Sequence, residues 1–412
     1  MSTRQHAAGR PSHSTAGFVL TIIAIAAAMA ASTVSSPFYP QIQGALGLGV
    51  VEITVVFAVY PAGLLVTLLV VGSLSDHLGR RAVTSVGLLM LAVSLGLFGW
   101  GDSLGALLSA RILQGIATAL VMSTVSTHMA ELAPPALAGR VALANSAGPA
   151  AGLAVGALFG GVMLDLASHA RTLTFGVVVV VIVIIAALSR LLPETTARMR
   201  GLVPSLIPRL RVPHEAAAAL LRVTPAIIAS WGTGGLFISL GALIARDVFG
   251  TQNHTLQGAT VGTLAASAMV ATIIFWRWSS RALLAIGALA LVVGTLTSVA
   301  AVLTASTMLY FAMIIVIGVG FGISYAGALR LVLPLVARED RAGLFSVIYV
   351  IAYLSFSVPA VIAGSLISVF GLAPVLIGYG VLVSAAALAA LLAQLSGAGR
   401  AQGDPEPSRV VS

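Results

Sequence analysis

The sequence predicts an all-α polytopic membrane protein of twelve transmembrane helices in two pseudo-symmetric six-helix bundles. Its 412 residues are 59% hydrophobic and 8% charged, with a mean hydropathy of +1.08. That is too little charge to cover a water-soluble protein of this size. Apolar runs of roughly 19 to 25 residues recur along the whole chain, each long enough to cross a bilayer core. The longest interruption falls in the middle and divides the runs six and six.

The spans lie near 16–40, 50–72, 82–100, 104–128, 141–164, 172–191, 224–245, 257–276, 282–303, 307–330, 343–369 and 373–395. The first follows Arg4 and Arg10 and contains AMAAS at 28–32, a pattern that also fits a cleaved signal. With eleven spans behind it, the run reads as a retained helix, and the even total puts both termini on one side. The seventh is interrupted by WGTGG at 231–235. The expected domains are therefore a tail at 1–15, bundles at 16–191 and 224–395, a linker at 192–223 and a tail at 396–412. Four prolines and five arginines mark the linker, which has room for a short helix on the membrane surface.

Charge placement orients the spans. The chain has no lysine, so its basic residues are 21 arginines. With the N-terminus inside, eighteen fall in cytoplasmic segments, Arg171 and Arg246 in outer loops, and Arg111 within a span. This bias towards the inside predicts an inner (plasma) membrane protein with both termini cytoplasmic. It also accounts for the net charge of +9 without nucleic acid.

Several chemistries are excluded. The chain has no cysteine, hence no disulfide, thiolate or Cys-type zinc site. The histidines, at 6, 13, 77, 128, 169, 214 and 254, fall in tails, loops or helix ends. There is no HExxH, GxSxG or pair of intramembrane aspartates, and no GxxxxGK[ST] loop. No metal, cofactor, intramembrane enzyme or nucleotide-driven pump is expected.

The second inner connection reads GSLSDHLGRRAV. Gly72, Leu74, Asp76, Gly79, Arg80 and Arg81 give it the spacing G-x-L-x-D-x-x-G-R-R. Helix four contains RILQG, with Arg111, Gln114 and Gly115; helix five contains GPAAG; and LPET closes helix six at 192–195. These four motifs, in this order and topology, resemble the major facilitator superfamily, and GPAAG is similar to the motif of its drug:proton antiporter branch. The halves echo each other weakly. ALAGRVALANSAGPAAG leads into helix five and EDRAGLFSVIYVIAYLSFSVPAVIAG into helix eleven, each with a basic turn and a mid-helix proline, Pro149 and Pro359. The loop after helix eight, WRWSSRALL, lacks both the aspartate and the G-R-R, so asymmetric gating contacts are expected.

The resemblance implies a secondary transporter of small molecules working by alternating access, coupled to protons, exporting its cargo and functioning as a monomer. The fold alone equally permits an uptake permease, and a transport-dead sensor is a more distant alternative. Asp76 is either a solvated loop carboxylate or a charge set against a helix N-terminus, worth about 0.3–1 kcal/mol when exposed. The resemblance implies the second, with the start of helix eleven near Gly343 as partner when the inside is closed, and Arg80 paired to Glu131. Arg111 must either meet a polar partner or cavity, with Gln114 one turn away, or snorkel to the outer surface.

GPAAGLAVGALFG sets Gly148, Gly152, Gly156 and Gly160 on one helix face beside Pro149. Helix eight offers Gly258, Gly262 and Ala266 at the same spacing. The ladder is either tight packing within one bundle or, by the resemblance, a rocking seam between helices five and eight. In the seam reading a bulky residue at Gly152 cripples transport and leaves insertion intact.

The substrate site is expected near the midplane between the halves. Tyr39, Gln43, Tyr60, Gln114, Asn145, Trp231, Tyr325, Tyr349 and Tyr353 are its candidate residues. No acid lies deep within a span. Glu52 and Asp165 fall near outer ends, and Asp76 and Glu131 near inner ends. This favours neutral or anionic amphipathic cargo and leaves proton coupling to those acids or to His128, expected as a surface residue.

Overall fold

The structure is a computed structural model that describes residues 13–196, 201, 206, 208, 210–337 and 340–398. Among the described residues, twelve helices are long and apolar enough to cross a membrane. They are α1 Thr15–Thr33, α2 Val50–Val71, α3 Arg80–Trp100, α4 Leu104–Leu132, α5 Val141–Leu166, α6 Ala170–Ser189, α7 His214–Asp247, α8 His254–Ile274, α9 Ser280–Leu303, α10 Thr307–Val332, α11 Arg341–Phe370 and α12 Leu372–Ala398. A 3-10 turn, Ser36–Phe38, and a short helix, Tyr39–Leu46, extend the first span. The protein is a multi-pass, all-helical membrane protein. The face of the bundle opposite Thr15 is called outer below.

The helices start where the sequence supplies caps. Ser14, Ser103, Asn253, Ser279 and Ser306 each accept a hydrogen bond from the backbone N–H three residues on, covering one donor that a helix start leaves free. Pro61, Pro149, Pro225 and Pro359 lie inside helices, where neighbouring helices can support the freed carbonyls. Large apolar side chains such as Val86, Val93, Ile184, Leu296 and Leu382 point outward and are exposed, as a lipid-facing surface requires.

The seventh span differs from expectation. α7 begins at His214, ten residues early, and runs unbroken through WGTGG to Asp247. Hydropathy senses the bilayer-depth part of a helix and misses turns that project beyond it. The glycines do not break α7 because they admit other helices. A Cβ at Gly235 would lie 2.0 Å from the Phe356 carbonyl oxygen. Residues 1–12 and 399–412, and within the linker residues 197–200, 202–205, 207 and 209, lie outside the described residues.

Within the first half α2, α3 and α1 pack on α4, α6 packs on α3, and α5 lies along α1. In the second half α9 packs on α10 and α12, and α7 touches α10, α11 and α12. Two seams join the halves: α2 against α11, and α5 against α8.

Candidate functional site

The inner loop folds around Arg80. Gly79 has φ of +99°, a conformation that favours glycine, and lets the chain turn from the short helix Leu74–Leu78 straight into α3. Arg80 is 7% exposed. Its Nε and Nη2 donate to the two carboxylate oxygens of Glu131 at 3.3 and 3.1 Å, a bidentate, charge-assisted pair. Its Nη1 meets Ser75 Oγ at 2.5 Å and Asp76 Oδ1 at 2.6 Å. Glu194, from LPET, accepts from the backbone N–H groups of Arg80 at 2.8 Å and Arg81 at 3.3 Å, so it caps the start of α3 from another segment. Thr195 Oγ1 donates to Glu131 at 2.5 Å. Among the motif's other members, Gly72 is exposed and Leu74 half-buried.

One expected contact is not made in this conformation, and one expectation fails. Asp76 is paired with Arg80, one turn away, while the neighbours of Gly343 come from Arg211, whose guanidinium lies 3.6 Å from Asp340. Asp76 is thus turned towards its own loop rather than onto the start of α11. His128 is not a surface residue: it is fully buried, with Nε2 3.1 Å from the Pro193 carbonyl. The end of α6 folds over it, which the apolar pattern of α4 could not reveal.

In the second half the equivalent corner is built differently. Arg330, at the end of α10, donates to the Trp276 carbonyl at 2.9 Å and lies 4.4 Å from the centre of that indole ring. The arginine sits on the helix and the loop supplies an aromatic face, a cation–π contact in place of a carboxylate pair.

Arg111 does not snorkel; it is 2% exposed. Its guanidinium donates to the Ser32 carbonyl at 3.3 Å, to Ser35 Oγ at 2.6 Å, and to Gln114 Oε1 and Tyr39 Oη. The rings of Phe98, Tyr39 and Tyr60 lie 4.9, 5.4 and 5.7 Å from Cζ. Gln114 Nε2 donates to the Ala31 carbonyl at 2.8 Å. A desolvated cation is therefore held by neutral oxygens and ring faces, tying α4 to α1. Gly115 completes the motif by admitting α2: a Cβ there would lie 2.4 Å from the Tyr60 carbonyl oxygen.

The glycine ladder packs within one bundle. A Cβ added at Gly152, Gly156 or Gly160 would lie 2.0, 2.1 or 2.4 Å from the carbonyl oxygens of Ala26, Ala30 and Val34, all on or just after α1. At Gly148 it would meet Ile25 at 3.3 Å. The seam with α8 uses the neighbouring face of α5. Gly258 stands against the Ala157 carbonyl and Gly161, and Gly262 against Leu158. A four-residue repeat marks a close helix contact but does not say which helix makes it. Ala266 is half-buried further along α8.

Five of the expected cavity residues converge where α2, α7, α10 and α11 meet. The Trp231 ring stands edge-on to Tyr325 at 5.4 Å, Tyr353 at 4.9 Å and Phe356 at 5.8 Å. Tyr349 lies 6.3 Å from Tyr353, and Tyr60 packs in the same cluster. The other candidates lie elsewhere. Tyr39 belongs to the Arg111 network, and Gln43 lines a small outer crevice with Val50, Ile53, Ser239 and Leu243. Asn145 is half-buried on α5, and its Oδ1 has no partner among the described residues.

The sequence model of the Major Facilitator Superfamily matches residues 21–358. The chain belongs to the major facilitator superfamily. Members of this superfamily are membrane transporters and not enzymes. A stretch of 77 residues is 36% identical to the multidrug resistance protein MdtL of Shewanella oneidensis and covers 19% of each chain. MdtL of Shewanella sp. strain ANA-3 is 35% identical over the same length. The match thus spans about a fifth of these relatives. In structure, the superfamily fold here is similar to a bacterial homologue of the human lysosomal transporter Spinster, in an inward-facing, unoccupied conformation. The TM-score is 0.75, with 16% identity over 95% of this chain and 99% of that one. It is also similar to the xylose transporter XylE of E. coli, partially occluded and inward-open. There the TM-score is 0.71, with 13% identity over 90% and 95% of the two chains. At these identities the likeness is one of fold.

Proposed function

We propose that this superfamily member is a secondary active exporter of neutral or anionic amphipathic compounds, driven by proton exchange and working as a monomer. It would sit in the inner membrane with both termini cytoplasmic. The observation that carries the cargo class is the cluster of Tyr60, Trp231, Tyr325, Tyr349, Tyr353 and Phe356 at the junction of the halves. Indole and phenol rings offer apolar faces with polar rims, suited to flat, partly polar molecules. The acids of the described residues lie at helix ends and in loops, so nothing there neutralises a cationic cargo. Export is supported by GPAAG and by the partial likeness to MdtL; orientation is supported by the arginine bias.

The test uses inside-out vesicles energised to an acidic interior, a pH-quenched dye, and a panel of neutral, anionic and cationic amphiphiles. Dequenching by neutral or anionic compounds, lost in Trp231→Ala vesicles with equal protein, is the expected result. Dequenching by cations alone overturns the cargo class. No response to any compound, with folded protein present, points to uptake instead.

A further inference from the structure

The two seams between the halves are closed differently at their outer ends. At the α2–α11 seam the contact is uncharged and close: a Cβ on Gly364 would lie 2.2 Å from Thr54 Oγ1. The start of α2 is covered from within α2 itself, since the Glu52 carboxylate lies back over Gly49. At the α5–α8 seam the closure is ionic and directional. Asp165, in the last turn of α5, faces the first turn of α8. Its Oδ1 accepts from the backbone N–H of His254 at 3.0 Å and lies 2.8 Å from His254 Nδ1. Its Oδ2 accepts from the backbone N–H of Thr255 at 2.8 Å and from Thr255 Oγ1 at 2.6 Å. Gly161 lets the two helices approach this closely, as a Cβ there would meet the His254 carbonyl oxygen at 2.6 Å.

These two N–H groups are donors that a helix start leaves free. The cap of α8 itself, Asn253, serves Leu256. A residue from the opposite bundle therefore supplies what α8 lacks. The Asp165 side chain keeps a quarter of its area exposed, so water reaches the carboxylate while both of its oxygens are held by these bonds. They cross a seam whose outer end must part in any cycle that opens the protein outward.

We propose that Asp165 is a positioning residue of the transport cycle, an outer latch that holds the α5–α8 seam shut through the first turn of α8. The inference rests on alternating access and is independent of cargo and coupling. When the seam opens, the carboxylate and the His254 and Thr255 N–H groups pass to water together. The energy gained by re-forming these charge-assisted bonds favours the outward-closed form.

The chain has no cysteine, so a single reporter thiol can be added to it directly. Ser239 is 4% exposed and lines the outer crevice with Tyr39 and Gln43, so Ser239→Cys reports outer opening. The rate of its reaction with a maleimide is measured on purified protein in detergent, where both faces are accessible and no substrate is needed. Asp165→Ala is expected to raise that rate roughly tenfold, the factor set by about 1.4 kcal/mol of lost latch energy. Asp165→Asn, which keeps an acceptor without the charge, falls between. The melting temperature of each variant is read alongside. An unchanged rate in correctly folded Asp165→Ala protein, or a lower melting temperature with no change in rate, overturns the proposal and leaves Asp165 a structural cap. If Asp165→Ala does not insert, Thr255→Val removes one donor, and a smaller rise in rate is required of it.

Discussion

Replacing the glycines of the α1–α5 contact one at a time by alanine tests the packing directly, because the structure ranks the four positions. An alanine Cβ at Gly152 or Gly156 would sit 2.0 or 2.1 Å from a backbone oxygen of α1. Carbon–oxygen contacts are normally no closer than about 3.3 Å. The clash is with main chain, which no rotamer change relieves, so the helices must separate by roughly 1 Å. That separation also pulls on Arg111 and Gln114, which hold the carbonyls of Ser32 and Ala31 on the same helix. Overpacking of this kind costs about 1–3 kcal/mol, and the upper end is expected at these two positions. Gly160, at 2.4 Å, should be intermediate. Gly148→Ala meets only a side-chain methyl at 3.3 Å and should cost less than about 0.5 kcal/mol, comparable to an ordinary surface change. Tryptophan fluorescence during a thermal ramp in detergent, on all four variants, gives the order. Gly152→Ala melting with the wild type, or Gly148→Ala proving the most damaging, would refute the assignment of this face to α1. The seam reading instead predicts wild-type melting with lost transport at Gly152.

Other outcomes follow from the same contacts. Arg111→Lys keeps the charge but not the planar fork that reaches Ser32, Ser35, Gln114 and Tyr39 together. It should lose about 2 kcal/mol or more, read as a lower melting temperature, and equality with wild type would argue against a buried network. Glu194→Ala uncaps α3 and should cost about 0.5–2 kcal/mol. Glu194→Gln, which keeps an acceptor, should recover part of this; identical melting of both with wild type would discount the cap. Tyr353→Phe keeps the ring against Trp231 and should leave stability unchanged while altering the affinity for cargo that hydrogen-bonds the phenol, measured by quenching of tryptophan fluorescence.

What could be read from the sequence was whatever depends on length, polarity and motif. Helix existence follows from bilayer thickness and needed only composition in windows. The inner-loop motif, together with the superfamily resemblance, pointed to Arg80 and Glu131. What could not be read was partnership at a distance. The glycine spacing in α5 said that a helix lies close, and α1 and α8 were equally consistent with it. Asp76 was legible as a member of the inner-loop motif, but its partner depends on conformation, which one sequence does not select. Glu194 lay within the recognised LPET, yet its role as a cap on α3 requires knowing that the end of α6 returns to the start of α3. His128 reads as a surface residue because its burial comes from Pro193, a contact between segments far apart in the chain.

The carbonyl-to-glycine contacts between α1 and α5 have a mechanical consequence. Where side chains separate two helices, rotamer changes let one slip past the other. Where main chain rests on main chain, there is no such play. α1 is pinned to α5 at three successive turns and to α4 through Arg111. These three helices form a keyed block whose relative register is fixed. A tilt imposed at one end of α5 would carry α1 with it, and through α1 the groups that hold Arg111, as a lever rather than a spring.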